Sequence, residues 1–115
     1  MSYMLLIMEP HGQRAARTPE QGTEAYASML KFAADLKARG LLRATESLRT
    51  NGVRVEKRNG KAIRIDGPFA ETKELVGGFY LLDCNDAEQA IAIAAECPAA
   101  QWATVEVREL GPCFT

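Results

Sequence analysis

The sequence of 115 residues contains few of the side chains that mark metal sites and disulfide scaffolds. It has three cysteines, Cys84, Cys97 and Cys113, and one histidine, His11. The cysteines form no C-x-x-C pair, so a structural zinc site is not expected. Widely spaced thiols in odd number predict small buried side chains in a reducing compartment. We therefore expect no metal and no cofactor.

Charge and hydropathy exclude further classes of partner. The 14 basic and 15 acidic side chains leave a net charge of -1, which gives no positive excess for binding nucleic acid or an anionic membrane. The apolar run at residues 4–8 is too short for a signal peptide and follows no basic region. No apolar stretch approaches the ~20 residues of a membrane span. We expect a cytoplasmic protein whose residues 1–115 form a single domain.

Two stretches combine helix-start residues with apolar side chains at helical spacing. Thr18 and Gln21 form a capping-box pattern, which predicts a helix over residues 19–39. Its expected buried face comprises Tyr26, Met29, Leu30, Phe32, Ala33 and Leu36. A second helix is expected between the N-cap Asn85 and Pro98. Its expected apolar face comprises Ala87, Ala90, Ile91, Ala94 and Ala95.

Apolar and alternating runs predict the strands. Residues 3–8 and 75–83 are apolar on both faces, as is typical of central strands. Residues 53–58 and 61–66 flank Asn59-Gly60, which predicts a tight hairpin. The hairpin is expected to have one apolar face, with Val53, Val55, Ile63 and Ile65, and one wet face, with Arg54, Glu56 and Arg64. Further strands are expected within residues 41–49 and 102–110.

The order of these elements defines a fold class. Without the inserted hairpin it is β-α-β-β-α-β, the ferredoxin-like arrangement, in which an antiparallel sheet has two helices on one face. The glycines Gly77 and Gly78 lie inside a central strand and indicate a close approach by a helix, a partner backbone or a ligand. Because both central strands are apolar on both faces, the uncovered face of the sheet predicts a two-fold homodimer.

The segment from Asp66 to Glu74 is the least generic part of the sequence. It contains the turn Asp66-Gly67-Pro68-Phe69 and the charged residues Glu71, Lys73 and Glu74. One interpretation is structural, with Asp66 accepting hydrogen bonds from backbone amides of the turn and the other charges in water. The other is functional, with paired carboxylates acting as acid and base or binding a cation or polar ligand. The sequence leaves both open.

Several segments together resemble the DGPF-domain branch of the YCII-related family. They are Met4-Leu5-Leu6-Ile7, Asp66-Gly67-Pro68-Phe69-Ala70-Glu71-Thr72-Lys73-Glu74, Gly77-Gly78-Phe79-Tyr80, Cys97-Pro98-Ala99-Ala100 and Val105-Glu106-Val107-Arg108. The resemblance implies a dimeric α+β barrel with a ferredoxin-like fold. It implies little about activity, because most members of the branch have none established. Many are encoded beside extracytoplasmic-function sigma factors, which implies a regulatory or stress-linked context.

One kind of YCII-type relative removes chloride from a chlorinated hydroquinone with a His-Asp dyad whose histidine lies on the first helix. The predicted first helix of this chain has no histidine, and His11 lies in the preceding loop. The dyad therefore does not transfer to this sequence. Acid–base chemistry would instead fall to Asp66 with Glu71 or Glu74. Arg64 or Lys73 would then orient an anionic group.

Other candidate ligand-binding residues lie outside that loop. His11 follows a central strand, where ligand sites are common, although an exposed loop histidine usually only titrates. Arg14 and Arg17 beside it either bind an anion or are solvated. Trp102, with Tyr80 and Phe79, lines an apolar pocket or contributes to core or dimer packing.

Two functions are compatible with this sequence. The first is a dimeric small-molecule-binding or accessory protein whose ligand is a modest organic molecule. The second is a cofactor-free enzyme of the isomerase, lyase or dehydrochlorinase kind, which uses carboxylates of the Asp66–Glu74 loop. We favour the first, because the histidine base of the enzymatic relatives is absent.

Overall fold

The computed structural model describes residues 2–69 and 72–114, and within them the chain forms six strands, two α-helices and one short 3-10 helix. The elements in chain order are β1 (Ser2–Pro10), α1 (Pro19–Ala38), β2 (Leu42–Ser47), β3 (Val53–Arg58), β4 (Lys61–Asp66), β5 (Glu74–Asp83), α2 (Ala87–Glu96), the 3-10 helix (Pro98–Gln101) and β6 (Thr104–Glu109). Neither α-helix is long and apolar enough to cross a membrane within this described part.

Four of the strands form one antiparallel sheet in the order β2-β5-β1-β6, and β3 pairs only with β4. The apolar strands β1 and β5 therefore lie at the centre, as the sequence predicts. Without the hairpin, the element order is β-α-β-β-α-β with both helices on one face. The predicted ferredoxin-like α+β fold is confirmed.

The core lies between the helices and one face of the sheet. Tyr3, Leu5 and Ile7 alternate along β1 and are all buried on the helix side. They form one cluster with Phe32 and Leu36 of α1, Tyr80 and Leu82 of β5 and Ala90 and Ile93 of α2. The intervening residues Met4, Leu6 and Met8 point to the other face and are only half-buried. Within one chain, the central strands are thus fully covered on a single face.

Helix α1 begins as the sequence predicts but buries only its second half. The Thr18 hydroxyl accepts a hydrogen bond from the Gln21 backbone, and the Gln21 side chain accepts one from the Thr18 backbone. The expected burial of Tyr26 and Leu30 is wrong, since they are 55% and 51% exposed. The residues of α1 that are fully buried, Phe32, Ala33 and Leu36, all lie further along the helix.

The predicted face of α2 is partly wrong. Ala90 and Ala94 are buried as expected, but Ile93 at 1% exposure joins them, while Ile91 is 50% exposed. The expected residues Ala87 and Ala95 are also exposed. Spacings of three and four residues put Ala90, Ile93 and Ala94 on one stripe, which turns Ile91 to water.

The beginning of α2 also differs from the prediction. The N-cap is Asp86 and not Asn85, because the Asp86 carboxylate accepts a hydrogen bond of 2.9 Å from the backbone of Gln89. Asn85 precedes the cap, and its backbone N–H donates to the Gln89 side chain.

The β3–β4 hairpin forms at the predicted residues, with positive φ values of 51° at Asn59 and 78° at Gly60. The expected division into an apolar and a wet face is wrong. A two-residue turn pairs Val55 with Arg64 and Arg54 with Ile65, so each face mixes apolar and charged side chains. Every residue of β3 is exposed.

The cysteines divide into two groups. Cys84 and Cys97 are buried, as the sequence predicts, and burial raises the pKa of both thiols above the usual value. Cys113 is exposed, so the expectation of three buried thiols is wrong for this residue, which lies beyond β6.

The two isoleucines of α2 provide a matched test of this packing. We expect Ile93→Ala to lower the free energy of unfolding by about 2–5 kcal/mol, because it removes a fully buried side chain. The same change at the half-exposed Ile91 should alter it by less than about 1 kcal/mol. Urea denaturation followed by circular dichroism measures both values. Equal losses in the two variants would contradict the observed orientation of the helix.

Candidate functional site

A cavity of about 460 Å³ lies between the first half of α1 and the helix side of the sheet. From α1, Tyr26, Met29 and Leu30 line it, and Trp102 closes one end. The sheet beneath presents small side chains, because the register places Thr45, Ser47 and Gly78 on this face. These small residues leave an open space under the first half of α1. Under its second half, larger side chains fill the corresponding space.

The two glycines of β5 allow close contacts at the edge of this cavity. Gly77 is the extra residue of a β-bulge, since Ile7 pairs with Gly78 and Met8 with Val76. A Cβ atom on Gly77 would collide with the Glu9 carboxylate. A Cβ atom on Gly78 would lie 2.8 Å from the carbonyl oxygen of Glu46 on β2. Both glycines are therefore closely approached, Gly78 by the backbone of β2 and Gly77 by the side chain of Glu9, a neighbour that the sequence does not predict.

The bulge accommodates an ion pair between the buried Glu9 and Arg14, whose side chain is 32% exposed. Glu9 is 6% exposed, and its two carboxylate oxygens accept hydrogen bonds of 2.9 and 3.0 Å from Nε and Nη2 of Arg14. Arg14 also donates to the carbonyl oxygens of Leu48, at 2.6 Å, and Gly77, at 3.0 Å. The charge of Arg14 is therefore matched by one carboxylate, and its remaining donors hold β2 and β5 together.

Arg17 lies at the other end of the same loop in a different environment. Its guanidinium carbon is 5.6 Å from the centre of the Trp102 ring, within the range of a cation–π contact. Nη2 donates to the side-chain oxygen of Gln13 at 3.3 Å, and Gln13 in turn donates to the Trp102 carbonyl oxygen at 2.6 Å. Among residues 2–69 and 72–114, no carboxylate forms an ion pair with Arg17.

Tyr80 contributes a neutral wall on the sheet side. Its hydroxyl donates a 2.8 Å hydrogen bond to the carbonyl oxygen of Met29, and its ring packs edge-on against Phe32. Burial raises the pKa of the Tyr80 phenol well above its usual value. The phenol therefore stays protonated at neutral pH.

The structure separates the sequence-predicted site residues. Trp102 lines the cavity, whereas Asp66 and Arg64 form a 2.8 Å ion pair at the surface, with 66% and 71% of their side chains exposed. Lys73 and Glu74 are exposed at the start of β5. His11 is exposed, and its backbone donates to the carbonyl oxygen of Lys73 at 2.9 Å. Glu71 lies outside the described residues.

The Asp66-Gly67-Pro68-Phe69 turn contacts the hairpin. The Arg54 guanidinium lies 3.8 Å from the centre of the Phe69 ring, and Gly67 donates to the carbonyl oxygen of Gly52. These contacts give the turn a structural role, but not the expected one: among the described residues, the Asp66 carboxylate accepts from the Arg64 side chain and from no backbone amide of the turn. The exposure of Asp66 keeps its carboxylate in water, which weighs against acid–base catalysis there. The catalytic assignment of this loop stays a prediction.

Glu9 is the site residue that sequence reasoning missed. It follows an apolar strand and precedes Pro10, so it has the pattern of a strand end. The available signal is its position five residues before Arg14, for which the sequence predicts only an anion-binding or solvated side chain. That pairing depends on a turn that brings Arg14 back to the strand. In this turn the backbone N–H of Gln13 donates to the carbonyl oxygen of Pro10.

The fold and the cavity define a small α+β protein with a ferredoxin-like sheet and a candidate binding site beneath its first helix. The chain belongs to the YCII-related domain family, whose model matches residues 1–113. It is 47% identical over 53 residues to an uncharacterized protein of Rhizobium meliloti (strain 1021). That match covers 44% of this chain and 43% of the relative, so the chain spans less than half of the relative's length.

Two arginines, one before α1 in the sequence and one directly after it, provide a test of the Glu9–Arg14 ion pair. We expect Arg14→Gln to lower the free energy of unfolding by about 2–4 kcal/mol, because Glu9 would then be buried without its cation. The control Arg39→Gln breaks an exposed pair with Glu96, whose side chain is 56% exposed, and should alter stability by less than about 1 kcal/mol. Chemical denaturation measures both. Similar small effects in the two variants would contradict a structural role for Arg14.

Proposed function

We propose that this protein binds a small organic molecule in the cavity beneath α1 and acts as a dimeric binding or accessory protein. The observation that carries the proposal is the cavity itself. Its volume of about 460 Å³ lies within the ~300–1,000 Å³ typical of sites for small ligands. The cavity is bounded by α1 and the sheet, and walls of regular structure are typical of a site that is formed before the ligand binds.

The cavity walls support an apolar contact with the ligand. Tyr26 and Leu30, which are about half exposed to solvent, line the cavity together with the partly buried Met29 and Trp102. Covering such side chains contributes roughly 25 cal/mol for each Å² of apolar surface removed from water. A bound molecule would therefore gain affinity from the same residues that the folded chain leaves uncovered.

The hydrogen bonding of the cavity supports binding over catalysis. The carboxylate of Glu9 accepts from Arg14, and the hydroxyl of Tyr80 donates to a backbone carbonyl oxygen. Both groups are thereby held by the protein and are poorly placed to exchange protons with a ligand. The alternative, an isomerase, lyase or dehydrochlorinase that uses the carboxylates of Asp66 and Glu74, has those groups at the exposed surface.

The assignment to the DGPF branch of the family is part of this proposal. Its support is the sequence Asp66-Gly67-Pro68-Phe69, which forms the turn after β4. A regulatory context near a sigma factor, which that branch implies, is compatible with a protein that senses a ligand without converting it.

Dimer formation is supported by the uncovered face of the sheet. Met4, Leu6 and Leu81 are half-buried apolar residues on the side opposite the helices. The β3–β4 hairpin also leaves Val53 and Val55 50% and 67% exposed. The radius of gyration is 16.0 Å, against about 13 Å expected for a compact domain of this length. A second copy packed on the sheet and hairpin would remove this apolar surface from water.

A thermal-shift screen of aromatic acids, lactones and phenols tests ligand binding. We expect one or more compounds to raise the melting temperature of the wild type and to quench Trp102, the single tryptophan. Leu30→Ala should weaken the affinity for such a compound about tenfold, since it removes part of the cavity wall. Ile91→Ala removes a side chain of similar exposure from α2 and should leave affinity unchanged.

Two outcomes of the screen would contradict the proposed site. One is the absence of any stabilising compound across a broad library. The other is an equal loss of affinity in the Leu30 and Ile91 variants, which would place binding away from the cavity.

Light scattering coupled to gel filtration tests the dimer. At micromolar concentration we expect twice the protomer mass of 12.6 kDa. Met4→Lys puts a charge on the uncovered face of the sheet and should shift the protein to the monomer mass, with an unchanged far-ultraviolet circular dichroism spectrum. Ile91→Lys, on the helix side, is the control and should remain dimeric. A wild type that elutes as a monomer would refute this part of the proposal.

A further inference from the structure

Arg17 is a cation that the protein positions at the cavity without neutralising it. Its partners are the face of Trp102 and the uncharged side chain of Gln13. Both contacts orient the guanidinium and leave its positive charge in place. By contrast, Arg14 in the same loop is matched by the buried carboxylate of Glu9.

The acidic residues near the cavity do not offset Arg17. Glu9 is neutralised by Arg14, and Glu46 alternates along β2 with Thr45 and Ser47, which puts its side chain on the opposite face of the sheet. Arg17 and Trp102 also line a second groove, which contains Gln13 and Glu24, but Glu24 forms no ion pair with Arg17. Among the described residues, Arg17 is therefore a cation at the cavity that no ion pair compensates.

Among small ligand groups, a carboxylate is the one that a guanidinium binds best. The guanidinium presents several N–H donors in a planar fork that matches two carboxylate oxygens, and one of these donors is occupied by Gln13. The cation–π contact, with the guanidinium carbon 5.6 Å from the centre of the Trp102 ring, restrains the position of Arg17 before a ligand arrives. The remaining cavity wall, from Tyr26 to Leu30, is largely apolar.

From this arrangement we infer that the ligand is an organic monocarboxylate, with its carboxylate bound by Arg17 and its aryl or alkyl body packed against Tyr26, Met29 and Leu30. The inference rests on the proposed function, since it specifies the ligand of the same cavity. It assigns Arg17 the role of determining specificity for an anion, and it assigns Trp102 the role of positioning Arg17.

A matched pair of probes separates charge from shape. Isothermal titration calorimetry with 3-phenylpropionate and its neutral amide, 3-phenylpropanamide, should show the acid binding the wild type at least about tenfold more tightly. Arg17→Gln should abolish that preference, and Arg17→Lys, which keeps the charge without the fork, should retain part of it. Arg39→Gln removes an arginine outside the cavity and should preserve the wild-type preference. Quenching of Trp102 reports binding at this site.

The outcomes distinguish this inference from the proposed function. Equal binding of acid and amide to the wild type overturns the anion inference and leaves a small-molecule site standing. A preference that survives in a folded Arg17→Gln variant, verified by its melting curve, also overturns it, because another group would then recognise the anion. Binding of neither probe overturns it as well, and the library screen with Leu30→Ala then decides separately whether the cavity binds any ligand.

Discussion

The partly buried ion pair between Glu9 and Arg14 determines the geometry of the site. A carboxylate at the end of β1 fixes an arginine of the next loop, and that arginine donates to the backbone at Leu48 and Gly77. One side chain thus links the end of β1, the residue after β2 and the bulge of β5. Because the same loop continues through Arg17 to the start of α1, the pair also sets where the helix begins above the sheet.

The cavity results from a difference between the two halves of α1. The second half packs Phe32 and Leu36 into the core, against large side chains of the sheet. The first half lies above Gly78 and small side chains of β2, and the bulge at Gly77 reserves space for the buried carboxylate. Dense packing under the second half of α1 therefore holds the helix in place above the open space under its first half.

The sequence predicts the local features of this fold well. The cap at Thr18 and the turn at Asn59-Gly60 are predictable because they depend only on residues that are neighbours in the sequence. The central strands are predictable from their apolar composition alone. The cavity could not be predicted in this way, because helical spacing shows that Tyr26 is apolar without showing where the sheet beneath it has small residues. The pairing of Glu9 also depends on a loop conformation. The hairpin faces could have been predicted, since a two-residue turn fixes which residues pair.

The position of β1 in the sheet has a consequence for synthesis on the ribosome. Both of its neighbours, β5 and β6, come from beyond residue 73, so β1 has no partner strand until most of the chain has emerged. Its apolar residues must remain unpaired while α1 and the hairpin, which depend on local contacts, can already form. The most strongly buried strand of the finished protein is therefore the segment most exposed to aggregation while the chain is being made.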